Sequence, residues 1–339
     1  MLSESQEYHL RMTANDIIRN NKGILALDEN PAKLGKKLEE NQVENTLRNR
    51  NLFREILMKT EAIESAIKGI ILHEESFTHS FMEDNQRTLA TDYLIKRGFF
   101  LIVKLDEGVE KTETGEFVTK GENSLEKKFL SKKFASAKAS KWRVVFQITK
   151  YTPTFNNLEE NCRSLTQFAK LSQKNNMVPI IEPEILFEGN HSVEECEAVS
   201  KIVYSHIFYH LNMENVHIQG CILKISFVTP GESVYKKIDP LTIAMKTIRA
   251  VESSVPSGIP GILFLSGGHT PAESKEYLYQ VNMKAGKFMK TKFSFSFGRA
   301  LTNNALKAFD PNKLDPELIQ QKLYSDVCDV RKSMFGDDK

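Results

Sequence analysis

Eight short apolar runs recur along the chain of 339 residues, and each is separated from the next by a helix-sized gap. The runs cover residues 23–27, 69–72, 99–103, 143–148, 178–181, 220–223, 262–265 and 293–297. Several are apolar at every position, as strands buried on both faces of a parallel sheet require. Since each gap has room for a helix and its loops, the pattern predicts eight β–α units. Eight units favour a closed parallel (β/α)8 barrel, the TIM-barrel architecture, with an extra N-terminal helical segment, over an open doubly wound sheet.

The composition indicates a globular protein with one domain spanning residues 1–339. Hydrophobic residues make up 40% of the chain, and no linker rich in Pro, Gly or Ser divides it. The 46 basic and 44 acidic residues nearly cancel, so we expect neither nucleic acid nor an acidic membrane surface as the main partner. The uncharged stretch 253–272 contains three prolines and four glycines, which excludes a membrane-spanning helix there. Four separated cysteines without a CxxC pair favour reduced thiols and a cytoplasmic location.

Polar and charged residues stand at the ends of most of these runs. Active sites of β/α barrels form at the carboxyl ends of the strands, so we expect these residues to converge at one end of the barrel. The set comprises Asp28, His73, Lys104, Lys141, Arg143, Glu182, Glu184, Lys224, Ser266, Gly267, Gly298 and Arg299. Its three lysines and two arginines predict a local concentration of positive charge in a chain of nearly zero net charge.

Lys224 lies within an apolar run, with Ile222, Leu223 and Ile225 around it. Poor solvation disfavours the charged ammonium form, and a neutral amine can attack a carbonyl to form a Schiff base. The alternative is a lysine that extends from a strand end to solvent. This run alone favours the second interpretation.

Three carboxylates are candidates for proton transfer. Glu182 and Glu184 flank a proline, and the alternation of side chains along a strand places both on one face. Two close carboxylates repel, so one of them tends to hold a proton near neutrality; the alternative is an exposed strand end that caps a helix. Asp28 is either a base or, more commonly for such a position, the N-cap of the next helix.

Two glycine-containing segments favour anion binding. Ser266, Gly267 and Gly268 precede a predicted helix, and Gly298 and Arg299 follow the last run. Backbone N–H groups at a helix start attract phosphate, and phosphate sites after the last two strands recur in barrels. A single glycine-containing segment of this kind is usually only a turn. The two segments together therefore predict a phosphate site better than either one alone.

Six motifs, in this order, resemble class I (Schiff-base) fructose-1,6-bisphosphate aldolases. They are GILALDEN (23–30), KWR (141–143), VPIIEPEIL (178–186), LK…VTPG (223–231), FLSGG (264–268) and SFSFGRAL (294–301). The resemblance runs from about Tyr8 to about Phe335. It implies reversible cleavage of fructose 1,6-bisphosphate to dihydroxyacetone phosphate and glyceraldehyde 3-phosphate, with no metal or other cofactor.

The resemblance also implies roles for individual residues. Lys224 would form the Schiff base, Glu182 would shuttle protons, and Asp28 would take the hydroxyl proton as the carbon–carbon bond breaks. Lys141 would supply positive charge beside Lys224, and Glu184 would orient these lysines. The ketose 1-phosphate would be held by Ser266, Gly267, Gly298 and Arg299, and the other phosphate by Lys104, Arg143 and Lys33.

Some positions depart from the family pattern. Asn30 and Lys33 replace two serines of the distal phosphate site, so an alternative is a preference for fructose 1-phosphate or a related phosphosugar. Residues 335–339 contain no tyrosine where relatives carry a terminal one, which predicts slower protonation of the enamine. The resemblance further implies a homotetramer and possible cytoskeletal partners, and a third alternative is a non-catalytic binding scaffold.

Overall fold

The computed structural model describes residues 2–81, 87–235, 238–285, 289 and 291–334. It contains a closed barrel of eight parallel strands, which confirms the predicted fold. The strands of the structure are β1 (Gly23–Leu27), β2 (Ile67–Leu72), β3 (Phe100–Lys104), β4 (Val109–Lys111), β5 (Phe117–Thr119), β6 (Ala139–Phe146), β7 (Val178–Ile185), β8 (Ile222–Ile225), β9 (Gly261–Phe264) and β10 (Lys292–Phe297). The barrel follows the order β1-β2-β3-β6-β7-β8-β9-β10 and closes where β10 pairs with β1. The other two strands, β4 and β5, form a separate antiparallel hairpin.

Helices follow the barrel strands and pack on the outside of the sheet. They are α1 (Glu4–Ile17), α2 (Pro31–Glu40), α3 (Leu47–Met58), α4 (Ala90–Lys96), α5 (Leu125–Leu130), α6 (Phe155–Lys174), α7 (Val193–Met213), α8 (Pro240–Ser254), α9 (Pro271–Ala285), α10 (Arg299–Lys307) and α11 (Pro316–Lys332). Side-chain caps fix where most of them begin, and at the start of α9 Thr270 and Glu273 bond reciprocally. None of the helices in the described part of the chain is long and apolar enough to cross a bilayer.

The N-terminal helical segment is present as α1, and it packs against the amino end of the barrel. Its residues Leu10, Ala14 and Ile17 share one buried cluster with the apolar side chains of the barrel interior. A larger cluster fills the space between the outer face of the strands and the surrounding helices. The barrel is thus closed by apolar contacts at its amino end, so polar chemistry is confined to the carboxyl end.

The predicted bounds of three barrel strands are wrong where charged residues interrupt the apolar runs, and β2 also begins at Ile67 instead of residue 69. The fourth barrel strand, β6, covers Ala139–Phe146 instead of 143–148, and the fifth, β7, continues to Ile185 instead of ending at residue 181. The sixth, β8, covers Ile222–Ile225 instead of 220–223. Charged residues lie inside these strands because they find partners inside the barrel. The prediction of one domain over residues 1–339 stays a prediction.

Candidate active site

Six barrel strands place polar side chains in one layer of the barrel interior. The layer beneath is apolar and buried, and it takes one residue from each of these strands: Ala26, Ile71, Ile102, Ala139, Ile180 and Ile222. Side chains alternate between the two faces of a strand, so the next interior residue of each strand lies two positions further toward the carboxyl end. These next residues are Asp28, His73, Lys104, Lys141, Glu182 and Lys224. The barrel therefore brings together five residues singled out from the sequence and one histidine without an assigned role.

Lys141 is the central cation of this layer. Its side chain is 2% exposed, and its Nζ lies 2.9 Å from Asp28 Oδ2, 3.3 Å from Asp106 Oδ2 and 3.2 Å from Glu182 Oε2. Burial opposes a charged amine, but the charges of Asp106 and Asp28 outweigh it and raise the pKa of Lys141 above its ordinary value. Lys141 is thus a fixed positive charge at neutral pH.

Glu182 bridges Lys141 and Lys224. Its Oε1 lies 3.0 Å from Lys224 Nζ, while its Oε2 faces Lys141 in an ion pair without hydrogen-bond geometry. The Lys224 side chain is only 5% exposed, so the interpretation of Lys224 as a solvent-reaching strand-end lysine is wrong. A buried amine in contact with one carboxylate has a direct route for passing its proton.

Asp28 is ionised and faces the same cations. Burial opposes its charge, yet the charges of Lys141 and Lys224 lower the pKa of Asp28 to about 2. The N-cap of α2 is Asn30, whose Oδ1 accepts the Lys33 N–H at 2.8 Å, so the capping alternative for Asp28 is wrong. Asp28 is therefore an ionised carboxylate, paired with Lys141, at neutral pH.

Glu184 pairs with Arg143. The Arg143 Nε donates to Glu184 Oε2, and Arg143 is its ion-pair partner among the described residues. The role of Glu184 in orienting the lysines stays a prediction. Burial opposes ionisation, but the Arg143 charge holds the pKa of Glu184 below its ordinary value. Glu184 is therefore not the carboxyl group that repulsion leaves protonated, and the expectation that one of the pair holds a proton stays a prediction.

Asp106 belongs to the site, although the sequence only places it at the end of the third run and assigns it no role. Its Oδ1 lies 2.6 Å from Lys104 Nζ, and its Oδ2 contacts Lys141. Burial opposes the charge of Asp106, but Lys141 and Lys104 hold its pKa well below the usual range. The available signal was its position two residues after Lys104, where alternation places it on the same face of the chain.

Two loops at the ends of β9 and β10 present backbone N–H groups. Gly267 and Gly268 have φ angles of 57° and 118°, in the left-handed region that favours glycine, and the His269 N–H closes the turn onto the Ser266 carbonyl at 3.0 Å. Gly298 is the N-cap of α10 and lacks a side chain to satisfy the helix start. Because β9 and β10 are paired neighbours, these two groups of donors lie at adjacent strand ends.

Lys33 stands in the first turn of α2, where the charges of Arg143 and Lys104 act on it together with those of Glu184 and Asp106. Partial burial and the charge of Arg143 lower its pKa, while Glu184 opposes this shift. An anion beside Lys33 and Arg143 would relieve their repulsion. The predicted difference at the chain end, residues 335–339, lies outside the described residues.

Comparisons with known proteins show which family this chain is similar to. The family model for class-I fructose-bisphosphate aldolase matches residues 9–335. The fructose-bisphosphate aldolase of Encephalitozoon cuniculi is 39% identical over 300 residues, which are 88% of each chain. Human fructose-bisphosphate aldolase B is 34% identical over 340 residues, covering 98% of this chain and 92% of the human one. A solved Plasmodium falciparum fructose-bisphosphate aldolase, in complex with TRAP and an inhibitor, superposes with a TM-score of 0.93 at 29% identity and covers 100% of this chain and 97% of that one.

The family match and the relatives each cover nearly the whole chain, and the solved relative has the same closed barrel. The chain belongs to the class-I fructose-bisphosphate aldolase family, whose members are metal-independent lyases.

Proposed function

We propose that the protein catalyses the reversible cleavage of fructose 1,6-bisphosphate to dihydroxyacetone phosphate and glyceraldehyde 3-phosphate through a Schiff base on Lys224. One observation carries this proposal: a buried lysine and a fixed cation contact opposite oxygens of one carboxylate, Glu182. This arrangement suits a nucleophilic amine whose proton must leave and return within a closed site.

The first half of the reaction needs Lys224 and Glu182. Lys224 passes a proton to Glu182 and attacks the C2 carbonyl, which gives a carbinolamine. Glu182 returns the proton to the carbinolamine hydroxyl, water leaves, and a protonated imine remains. Lys141 stays charged throughout, and its charge disfavours a second ammonium ion beside it once Glu182 is protonated.

The second half of the reaction needs a base at C4. Asp28 takes the C4 hydroxyl proton, the C3–C4 electron pair moves to the iminium nitrogen, and the aldehyde and an enamine form. Asp28 suits this role because its pKa of about 2 keeps it ionised at neutral pH. Protonation of the enamine at C3 and hydrolysis of the imine then release dihydroxyacetone phosphate.

The phosphates of the substrate are bound at two sides of the barrel. Backbone N–H groups at Ser266, Gly267 and Gly298, with the Arg299 guanidinium, bind the 1-phosphate. Lys33, Lys104 and Arg143 bind the distal phosphate, and the effect of the Arg143 and Lys104 charges on Lys33 supports a common site for it. This favours the bisphosphate over fructose 1-phosphate as the preferred substrate.

A coupled assay of triose phosphate formation tests this function. We expect turnover of fructose 1,6-bisphosphate that is insensitive to EDTA, with a higher kcat/KM than for fructose 1-phosphate. The Lys224→Met variant should lose turnover by several orders of magnitude while its circular dichroism spectrum stays unchanged. A higher kcat/KM for the monophosphate would support the alternative preference. Full activity of Lys224→Met would contradict the mechanism, and a wild type without turnover would favour a binding scaffold.

We further propose that the protein is a cytoplasmic homo-oligomer. The family resemblance implies a tetramer. Exposed apolar side chains on α7, Ile202, Tyr209 and Met213, recur at helical spacing and support an interface between copies. The four free cysteines of the described residues support a reducing compartment. Light scattering should give about four times the chain mass, and a monomer would contradict the tetramer. Cytoskeletal partners stay a prediction.

A further inference from the structure

His73 is the member of the polar layer to which the proposed reaction gives no role. It is the interior residue of β2 two positions after buried Ile71. The register of the barrel pairs Leu72 with Leu27 on one side and with Val103 on the other. His73 therefore lies between Asp28 and Lys104, at the same level of the barrel.

The local backbone fixes the tautomer of His73. The Glu75 N–H donates to His73 Nδ1 at 3.2 Å, as a cap of the short helical turn Glu74–Thr78. A ring nitrogen that accepts a hydrogen bond carries no proton, so the proton of the neutral ring is on Nε2. Among the hydrogen bonds of the described residues, none involves Nε2, which leaves this N–H available to a ligand.

The imidazole is neutral at physiological pH. Burial and the charges of Arg54 and Lys104 lower the pKa of His73 to about 4, although Glu75 and Asp28 oppose the shift. A neutral imidazole can polarise a carbonyl without delivering a full proton to the Asp28 carboxylate nearby.

The position of β2 in the barrel selects the part of the substrate that His73 reaches. Following the barrel order, β2 stands opposite β8, which carries Lys224. The imine carbon is bound to Lys224, so His73 faces the remote half of the sugar, next to Asp28. The two neighbouring strands are about 5 Å apart, so both side chains can reach one oxygen.

We propose that His73 is a catalytic hydrogen-bond donor whose Nε2–H binds the C4 oxygen of the substrate. This is the oxygen that loses its proton to Asp28 in cleavage and regains it from Asp28 in condensation. It stabilises the negative charge that develops on this oxygen when the aldehyde is attacked. This inference rests on the proposed aldol function and adds a residue to it.

Two substitutions separate this role from the capping role of His73. His73→Asn keeps an acceptor for the Glu75 N–H, since Asn is a preferred N-cap, but it is too short to reach the substrate. His73→Gln keeps a donor at the distance of Nε2. His9, exposed on α1, gives a matched control as His9→Asn.

We expect His73→Asn to lower kcat for cleavage by ~10²-fold or more, the usual effect of removing one such donor, and His73→Gln to retain most of the activity. A merely structural role predicts the opposite order, with the uncapped Gln variant more impaired. Equal activity of His73→Asn and wild type would also overturn the proposal.

The half-reaction with dihydroxyacetone phosphate distinguishes failure of this proposal from failure of the proposed function. Exchange of the C3 proton and borohydride trapping on Lys224 involve no C4 oxygen, so both should be unchanged in His73→Asn. Loss of trapping in this variant would contradict a role at C4. Absence of trapping in the wild type would instead refute the Schiff-base function itself.

Discussion

Replacing Lys141 by Met removes the shared cation of three carboxylates, of which Asp106 and Glu182 are buried and Asp28 is partly exposed. The side chains of Asp28, Asp106 and Glu182 are 14%, 2% and 5% exposed, and each lies within 3.3 Å of Lys141 Nζ. Breaking a buried ion pair by removing one partner typically costs ~3–5 kcal/mol, because the remaining charge has no compensation. We therefore expect Lys141→Met to lower the free energy of unfolding by about 3–5 kcal/mol at pH 7.

The loss of stability caused by Lys141→Met should become smaller as the pH falls. In the wild type, the pKa of Asp28 lies at about 2, below its ordinary value, so its stabilising effect is complete above pH ~4 and is lost as pH falls toward 2. Without Lys141, burial raises the pKa values of the buried carboxylates, and they take up protons at a higher pH. The difference in stability between wild type and variant should therefore shrink from pH 7 to pH 4.5.

Urea unfolding followed by circular dichroism at both pH values measures this difference. Lys170→Met is a matched control, because Lys170 and its partner Glu214 are exposed. That surface pair is worth ~0–1 kcal/mol at either pH. A loss below 1 kcal/mol for Lys141→Met, or one that grows as the pH falls, would refute the assignment of Lys141 as the central cation.

Three further changes test other parts of the site. Asp28→Asn should retain borohydride trapping with dihydroxyacetone phosphate but lower kcat for cleavage by ~10²–10⁴-fold, and equal loss of both activities would contradict a role confined to C4. Lys33→Gln should raise KM for fructose 1,6-bisphosphate several-fold and leave KM for fructose 1-phosphate unchanged; an equal rise for both sugars would place Lys33 elsewhere. Gly267→Ala should lower the free energy of unfolding by about 1–2 kcal/mol, because the φ angle of Gly267 is 57°, and it should weaken binding of inorganic phosphate. An unchanged Tm would show that the backbone at this position is not strained by a side chain.

The barrel could be predicted from the sequence because its strands are buried on both faces and form continuous apolar runs. Strand ends were harder to predict where interior charges interrupt the runs. The apolar run 143–148 places Lys141 before its strand, yet Lys141 lies within β6 because three carboxylates compensate its charge. Glu182 and Lys224 likewise lie within β7 and β8.

The candidate site was predictable only where a residue type carries its own chemistry. Lys224, Glu182 and Asp28 stand beside apolar runs and match family motifs. Asp106 could have been found from its spacing to Lys104, whereas the partner of Glu184 depends on which side chains meet across the barrel, and local spacing does not encode that. The tautomer of His73 depends on a backbone N–H two residues away.

Borohydride reduction in the presence of dihydroxyacetone phosphate, followed by peptide mass mapping, tests the Schiff-base chemistry most directly. Lys224 is buried and contacts Glu182, whereas Lys141 is held charged by three carboxylates. We predict one covalent adduct, on Lys224, formed equally well with EDTA present. An adduct on Lys141, or no adduct in an enzyme that turns over substrate, would contradict the proposed mechanism.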